Sequence, residues 1–259
     1  MVDFLDTLAM TARETIDSGY YEKLNEAPAS SISLKQAILE AKNAPVITEI
    51  KAASPSAGTI RENVAARDIA ESMEKGGAVG ISVLTEPQHF EGSLRLLVEA
   101  RKAVKLPILM KDIILSPVQL EAASKAGANA ALLIEALFDR GYCECTINDM
   151  IARAHSASLE VLLETRTAEE FRYAVRTHAD LVGINNRDLA TLKVDLNVTK
   201  GILERNSAEG KIVVSESGIN TPADLHFLHE CGAHAFLIGS AIMLADNVEK
   251  KVKEFVSAL

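Results

Sequence analysis

A closed (β/α)8 barrel is the fold this sequence predicts, on three observations. Eight short runs are apolar almost without interruption: "PVITEIK" from Pro45, "VGISVLT" from Val79, "PILMKD" from Pro107, "AALLIE" from Ala130, "EVLLET" from Glu160, "LVGINN" from Leu181, "KIVVSES" from Lys211 and "AFLIGS" from Ala235. Longer segments with apolar residues three and four apart separate them. The joins also repeat, since "EKGGAVGISV", "SKAGANAALL" and "HECGAHAFLI" each place a helix-ending glycine before small residues and a strand.

Each element has its own signal. Strands that are apolar throughout, instead of alternating, are those of a parallel sheet covered on both faces. Parallel neighbours need crossover helices, and "NVAARDIAESMEKGG", "SPVQLEAASKAG", "TAEEFRYAVRTH" and "TPADLHFLHECG" have the helical period. Eight such units close on themselves. The rival arrangement, an open doubly wound sheet, is weakened because no GxGxxG follows the first strand. Ahead of that strand, "VDFLDTLAMTARETI" and "SLKQAILEAK" are also helical in period. The predicted organisation is one domain over residues 1–259, with a helical extension at 1–44 and the barrel at 45–259. The pattern leaves two places open for the extension, plugging the bottom of the barrel or reaching over its top.

Composition narrows the classes of function. With 259 residues and 48% hydrophobic content, the chain can bury one substantial core. Runs such as "AALLI" and "AFLI" fall far short of the ~20 apolar residues of a membrane span. The N-terminal "MVDFLDTLAMTARET" carries acids where a secretory signal has a basic segment, so a soluble cytoplasmic protein is expected. A formal charge of −9 opposes nonspecific attraction to nucleic acid, and an anionic small substrate would need locally placed lysines.

Metal and disulfide chemistry have little support. Cys143, Cys145 and Cys231 are odd in number and lack paired CxxC spacing, and the first two are expected at a helix start. His226 and His229 lie three apart, but "HFLHE" is not HExxH. No metal is expected there. His89, His155, His178 and His234 form no triad-like pattern.

In a barrel of this kind, chemistry gathers where strands end and βα loops begin. Strand one supplies Glu49, Lys51, Ser54 and Ser56; strand three, Lys111 and Asp112; strands four and five, Glu135 and Glu164. Strand six adds Asn185, Asn186 and Arg187; strand seven, Glu216, Ser217 and Gly218; strand eight, Gly239 and Ser240. Any one of these charges could be an ion pair bracing the mouth. Their collection at one rim favours function, because buried charges are costly unless paired. "SESGI" and "IGSAI" put glycine and serine on consecutive strand ends, facing Lys51, where such barrels often hold phosphate.

"EIKAASPS", "LPILMKD", "LLETRT", "GINNRDL", "VVSESGI" and "LIGSAIM", in this order and at these strand ends, closely resemble the indole-3-glycerol phosphate synthase family. The resemblance runs over essentially the whole chain, helical extension included. It implies ring closure of 1-(2-carboxyphenylamino)-1-deoxyribulose 5-phosphate with loss of carbon dioxide and water, in tryptophan biosynthesis, with neither metal nor organic cofactor. By that resemblance Lys111 is the acid at the carbonyl oxygen, Glu164 the base, and Lys51, paired with Glu49, the second lysine, also near phosphate. Which lysine acts in which step stays open. Asn185 and Glu216 match positions that orient substrate hydroxyls and the lysines. Ser54, Ser56, Ser217, Gly218, Gly239 and Ser240 match the phosphate-contacting region, and Arg187 either braces the rim or orients Asn185.

The sequence also departs from the family pattern. Ala52 stands where many relatives have arginine, and Ile113 where many have phenylalanine, which forfeits an aromatic contribution of ~0.5–1.5 kcal/mol. Phe90 and Leu132 are expected, by analogy, as the remaining walls. A monomer is expected, as is a small anionic substrate with no nucleic-acid or membrane partner. Two other readings are a Schiff-base sugar-phosphate aldolase built on Lys111, and a noncatalytic phosphate-binding barrel.

Overall fold

A computed structural model describes residues 2–24, 31–54, 58–60 and 64–259. The eight apolar runs are eight parallel strands: β1 (Val46–Ile50), β2 (Gly80–Leu84), β3 (Ile108–Lys111), β4 (Ala130–Ile134), β5 (Glu160–Thr165), β6 (Leu181–Asn185), β7 (Ile212–Glu216) and β8 (Ala235–Ile238). They close in chain order, β1 pairing with both β2 and β8, through registers such as Val46↔Phe236 and Ile47↔Gly80. The extension contributes α1 (Phe4–Asp17), a 3-10 turn at Tyr20–Glu22, and α2 (Leu34–Leu39). Around the barrel run α3 (Ala66–Lys75), α4 (Leu94–Ala103), α5 (Pro117–Lys125), α6 (Glu135–Asp139), α7 (Ile147–Ser156), α8 (Ala168–Ala174), α9 (Asn197–Leu203), α10 (Pro222–Glu230), α11 (Ser240–Met243) and α12 (Val248–Val256). No described helix is long and apolar enough to cross a membrane.

Local chemistry sets the boundaries. Capping boxes start α8 (Thr167 with Glu170) and α10 (Thr221 with Asp224), and Pro222 occupies the first turn of α10. The three repeated joins turn on glycines with positive φ, at Gly77 (92°), Gly127 (85°) and Gly232 (102°), a conformation that side-chain-bearing residues rarely adopt. Cys143 and Cys145 lie in the loop before α7, which Thr146 caps, so they precede that helix instead of starting it. One element has no counterpart in the sequence reading, a two-stranded antiparallel pairing of Ala53–Ser54 with Gly58–Thr59 just beyond β1.

Alternation along each strand separates two cores. Val46, Ile50, Ile81, Val83, Met110, Leu133, Leu163, Ile184 and Phe236 pack outward against the helices. Ile47, Leu109, Leu132, Leu162, Leu181, Val214 and Leu237 pack inward. The inner column takes in the extension at both ends. Leu5, Leu8, Ala9 and Ala12 of α1 join it, and so do Leu34 and Ile38 of α2.

The extension therefore takes both of the places the sequence left open. At the strand beginnings, Glu160 opens β5 and accepts the Leu34 and Lys35 N–H groups at 2.8 and 3.0 Å, and the Leu34 side chain packs on Gly80, the first residue of β2. That holds α2 as a bottom plug. At the opposite rim, Arg140 pairs with Asp3 and Asp6 of α1 at 2.8 and 2.6 Å, the Tyr142 hydroxyl donates to Asp6 at 3.1 Å, and Arg13 pairs with Glu144. These contacts strap α1 across the top.

Candidate active site

The inward parity of the strands selects the site. Continuing Ile47 by two gives Glu49 and then Lys51; Leu109 leads to Lys111, Leu162 to Glu164, Val214 to Glu216 and Leu237 to Gly239. On β6 the same parity runs Leu181, Gly183, Asn185. Lys111 Nζ sits 3.2 Å from Glu164 Oε2 and 3.8 Å from Glu216 Oε2. Lys51 Nζ sits 2.8 Å from Glu49 Oε1. Asn185 Nδ2 donates to Glu164 Oε1 at 2.9 Å, and Asn185 Oδ1 accepts the Arg187 N–H at 2.9 Å. Five strands thus bring their polar ends to one point.

Burial decides the charge states. Glu49, Glu164 and Glu216 are only 3%, 2% and 1% exposed. Burial opposes the charge on Lys111, yet Glu164, Glu216 and Glu49 outweigh it and hold the amine above the ordinary lysine range. Burial also acts on Glu49, where Lys51 and Lys111 overcome it and keep that carboxyl below its usual value. Glu216 goes the other way. Burial, reinforced by the Glu164 charge, pushes it well above the carboxylate range, and neither of its oxygens has a hydrogen-bond partner. The site holds a protonated lysine between one well-partnered carboxylate and one reluctant to ionise.

These groups floor a cavity of about 270 Å³. Phe90 and Ile113 line it, as do Arg187, Ser217, Gly218, Gly239 and Ser240. Ser217 and Gly218 have φ of 66° and 83°, two consecutive left-handed residues that turn the chain sharply as it leaves β7. Arg187 Nη1 donates to the Leu192 carbonyl at 3.1 Å, bracing the loop after β6. Ser54 belongs to the small strand pair beyond β1, and Ser56 lies outside the described residues.

Three expected rim positions fall elsewhere. Leu132 is fully buried in the layer of Leu162, and the rim position of β4 is Ile134, paired in register with Glu164. Leu132 is thus one layer too deep to be a wall. Glu135 has the opposite parity and does not line the cavity; burial and the nearby Asp139 and Glu170 carboxylates raise it to about 7. Asn186 also faces away, donating to Ser215 Oγ at 3.0 Å and accepting from Thr199 Oγ1 at 2.9 Å, which locks β6 to β7.

Other lining residues escaped the sequence reading. Phe4 and Leu8 come from α1, and Leu189 and Leu192 from the loop after β6. Glu86, which also lines the cavity, accepts the N–H groups of Gln88, His89 and Phe90 at 2.9, 2.7 and 3.0 Å and so fixes the turn that presents Phe90. An acid two residues before such N–H groups in "TEPQHF" was the available signal. Asp112 accepts from Thr85 Oγ1 at 2.5 Å and from the Tyr21 hydroxyl at 3.0 Å, joining the extension to the strand of Lys111, and burial raises it to about 6. Among the described residues, no group of three or more His, Cys, Asp or Glu side chains is arranged to hold a metal ion.

Comparison with known proteins agrees with this geometry. Solved structures with the same fold include thiamine phosphate pyrophosphorylase from Pyrococcus furiosus (TM-score 0.61, 18% identity, 85% of this chain and 96% of that one). Another is N-acetylmannosamine-6-phosphate 2-epimerase from Clostridium perfringens (TM-score 0.61, 16% identity, 91% and 100% covered). At those identities the likeness is of fold alone. Sequence relatives are nearer: the indole-3-glycerol phosphate synthase of Methanocaldococcus jannaschii is 43% identical over 87% of this chain and 83% of its own. That of Aromatoleum aromaticum is 40% identical over 94% and 95%, and that of Desulforamulus reducens 38% over 92% and 88%. The family profile described as indole-3-glycerol phosphate synthase matches residues 8–255, and the chain belongs to that family.

Proposed function

We propose that the rim around Lys111 performs the family's ring closure on 1-(2-carboxyphenylamino)-1-deoxyribulose 5-phosphate. The observation that carries the assignment is the Lys111 ammonium, 3.2 Å from Glu164 and 3.8 Å from Glu216 on the cavity floor. A protonated amine fixed there can donate to the substrate's ketone oxygen as the ring carbon bearing the carboxylate attacks the ketone carbon. Carbon dioxide then leaves, and its electron pair restores the aromatic ring. The new hydroxyl departs as water with a proton from a second acid, for which Lys51 is placed by its pairing with Glu49. Glu164 takes the ring-CH₂ proton and the indole forms. Overall one proton is consumed, and carbon dioxide and water are released.

Phe90, Ile113, Ile134 and Leu189 give the aromatic part of the substrate an apolar wall, and the Ser217–Gly218 and Gly239–Ser240 ends give the phosphate a small-residue seat. Arg187 braces the β6 loop and adds a cation to the same cavity. The Schiff-base reading is disfavoured by the same geometry, because an amine held protonated by carboxylates is a poor nucleophile. We also take residues 1–259 as one domain, since α1 and α2 pack into opposite ends of a single inner core. A cytoplasmic monomer acting on a small phosphate-containing substrate completes the proposal, and sedimentation equilibrium tests its oligomeric part. The decisive assay is turnover of the carboxyphenylamino sugar phosphate, followed by the rise of indole fluorescence. Absence of turnover, or a borohydride-trapped substrate adduct on Lys111, would overturn the assignment.

A further inference from the structure

Gly183 sits in the middle of β6, where glycine weakens a strand and calls for a reason. Its backbone supplies none, because its φ is not among the positive values found at eight other glycines of the described chain. The reason lies in space. A methyl group built on Gly183 would stand 2.2 Å from Glu216 Oε1, far inside any real contact, and 3.3 Å from the Glu164 Cα. Glu216 comes from β7, and to reach Lys111 on β3 its side chain must lean over β6 at the one inward position that has no side chain. Both Glu216 oxygens are buried and lack hydrogen-bond partners, so the carboxylate is held there by the Lys111 charge 3.8 Å away and by the room over Gly183.

We infer that Gly183 is a positioning residue: its missing side chain is the seat that lets Glu216 lie beside Lys111. This rests on the reading that Glu216 and Lys111 belong to the reaction site. Gly239, at the end of β8, shows the same relation to the neighbouring β1, where a Cβ would come 2.4 Å from Glu49 Oε1. Each glycine thus makes room for a carboxylate that faces a different lysine.

The clashing atom on Glu216 is the free end of a flexible side chain, so Gly183→Ala should fold and displace the carboxylate. The test is a cycle of four proteins: the parent, Gly183→Ala, Glu216→Ala and the double variant. Gly183→Ala should lower kcat by about 10- to 100-fold, the scale of a misplacement near 1 Å, with KM changed less than about threefold. Its kcat–pH profile should lose activity at lower pH on the alkaline side, because Lys111 has lost one of the carboxylates that keep it protonated. In the Glu216→Ala background the same substitution should cost less than about twofold, since the atom it strikes is gone. Urea unfolding of the same four proteins needs no turnover, and there too Gly183→Ala should cost the parent more than it costs Glu216→Ala. Equal penalties in both backgrounds would overturn the inference and assign the glycine to the backbone. If instead the parent itself fails to turn over substrate, the functional reading falls while the unfolding cycle still decides the seat.

Discussion

Replacing Lys111 separates its charge from its proton. At an effective dielectric of about 20, charges 3.2 and 3.8 Å apart attract by roughly 5 and 4 kcal/mol, most of it spent on desolvation. Lys111→Met removes the cation and leaves Glu164 and Glu216 buried without it, a loss on the order of 3–5 kcal/mol when no relief is available. Relief is available here. Glu216 already leans toward its protonated form, and each pKa unit that a carboxyl rises recovers or costs about 1.4 kcal/mol depending on pH. Without Lys111 the folded protein binds more protons than the unfolded one, so the variant's stability must fall as pH rises. We expect a deficit of about 2–4 kcal/mol against the parent at pH 8 that shrinks to under about 1 kcal/mol at pH 5. Lys111→Arg keeps the charge and should lose much less stability at either pH. Both variants should still lose at least about 10²-fold in kcat, because guanidinium gives up a proton poorly and its planar fork cannot occupy the place of a compact ammonium. Turnover by indole fluorescence and urea unfolding at the two pH values measure these effects. An arginine variant within a few-fold of the parent would refute the proton-donor role. A methionine deficit equal at pH 5 and pH 8 would refute the electrostatic account.

Glu164→Gln keeps the shape and the Asn185 contact but cannot accept a proton, so kcat should drop by roughly 10²- to 10⁴-fold with KM little altered; a change in KM alone would make the residue a binding group. Gly239→Val should raise KM by closing the phosphate seat and also lower kcat, since its Cβ would strike Glu49 and disturb the partner of Lys51; steady-state kinetics showing neither change would remove Gly239 from the site. Glu135→Gln should stabilise the protein above pH 7, on the order of 1–2 kcal/mol after allowance for solvent screening, because the folded carboxyl is raised to about 7. That gain should fade as pH falls from 7 through 4.5, below which folded and unfolded carboxyls are both protonated, and a gain independent of pH in melting curves would show that charge is not its cause.

The barrel was legible because burial on both faces leaves each parallel strand almost purely apolar, and such runs stand out against helices of period 3.6. The reacting groups were legible for a related reason: Glu49, Lys111, Glu164 and Glu216 interrupt those runs where apolar residues would otherwise continue. What the runs do not carry is depth. Leu132 and Ile134 share a parity, and only the stagger between strands puts Ile134 level with Glu164 and Leu132 below it. Facing was harder still for adjacent polar pairs, since Asn185 and Asn186 look alike in sequence and differ only in the side of β6 they take.

The two ends of the extension mark a second limit. A helical period tells which face of α1 or α2 is apolar, but both faces are made of leucine, isoleucine and alanine, and both join the same inner core. The features that assign them to opposite ends are polar: Glu160 accepts the N–H groups that start α2, while Arg140 and Tyr142 hold the acids of α1. Those partners lie more than a hundred residues away in the chain, beyond the reach of local pattern. Glycine meets the same limit. Gly77 and Gly127 announce turns through their place after a helix, whereas Gly183 lies inside a strand, and its meaning is a carboxylate arriving from the neighbouring strand. A residue defined by an absent side chain becomes readable only when the atom that fills the space is known, and in this barrel that atom belongs to Glu216.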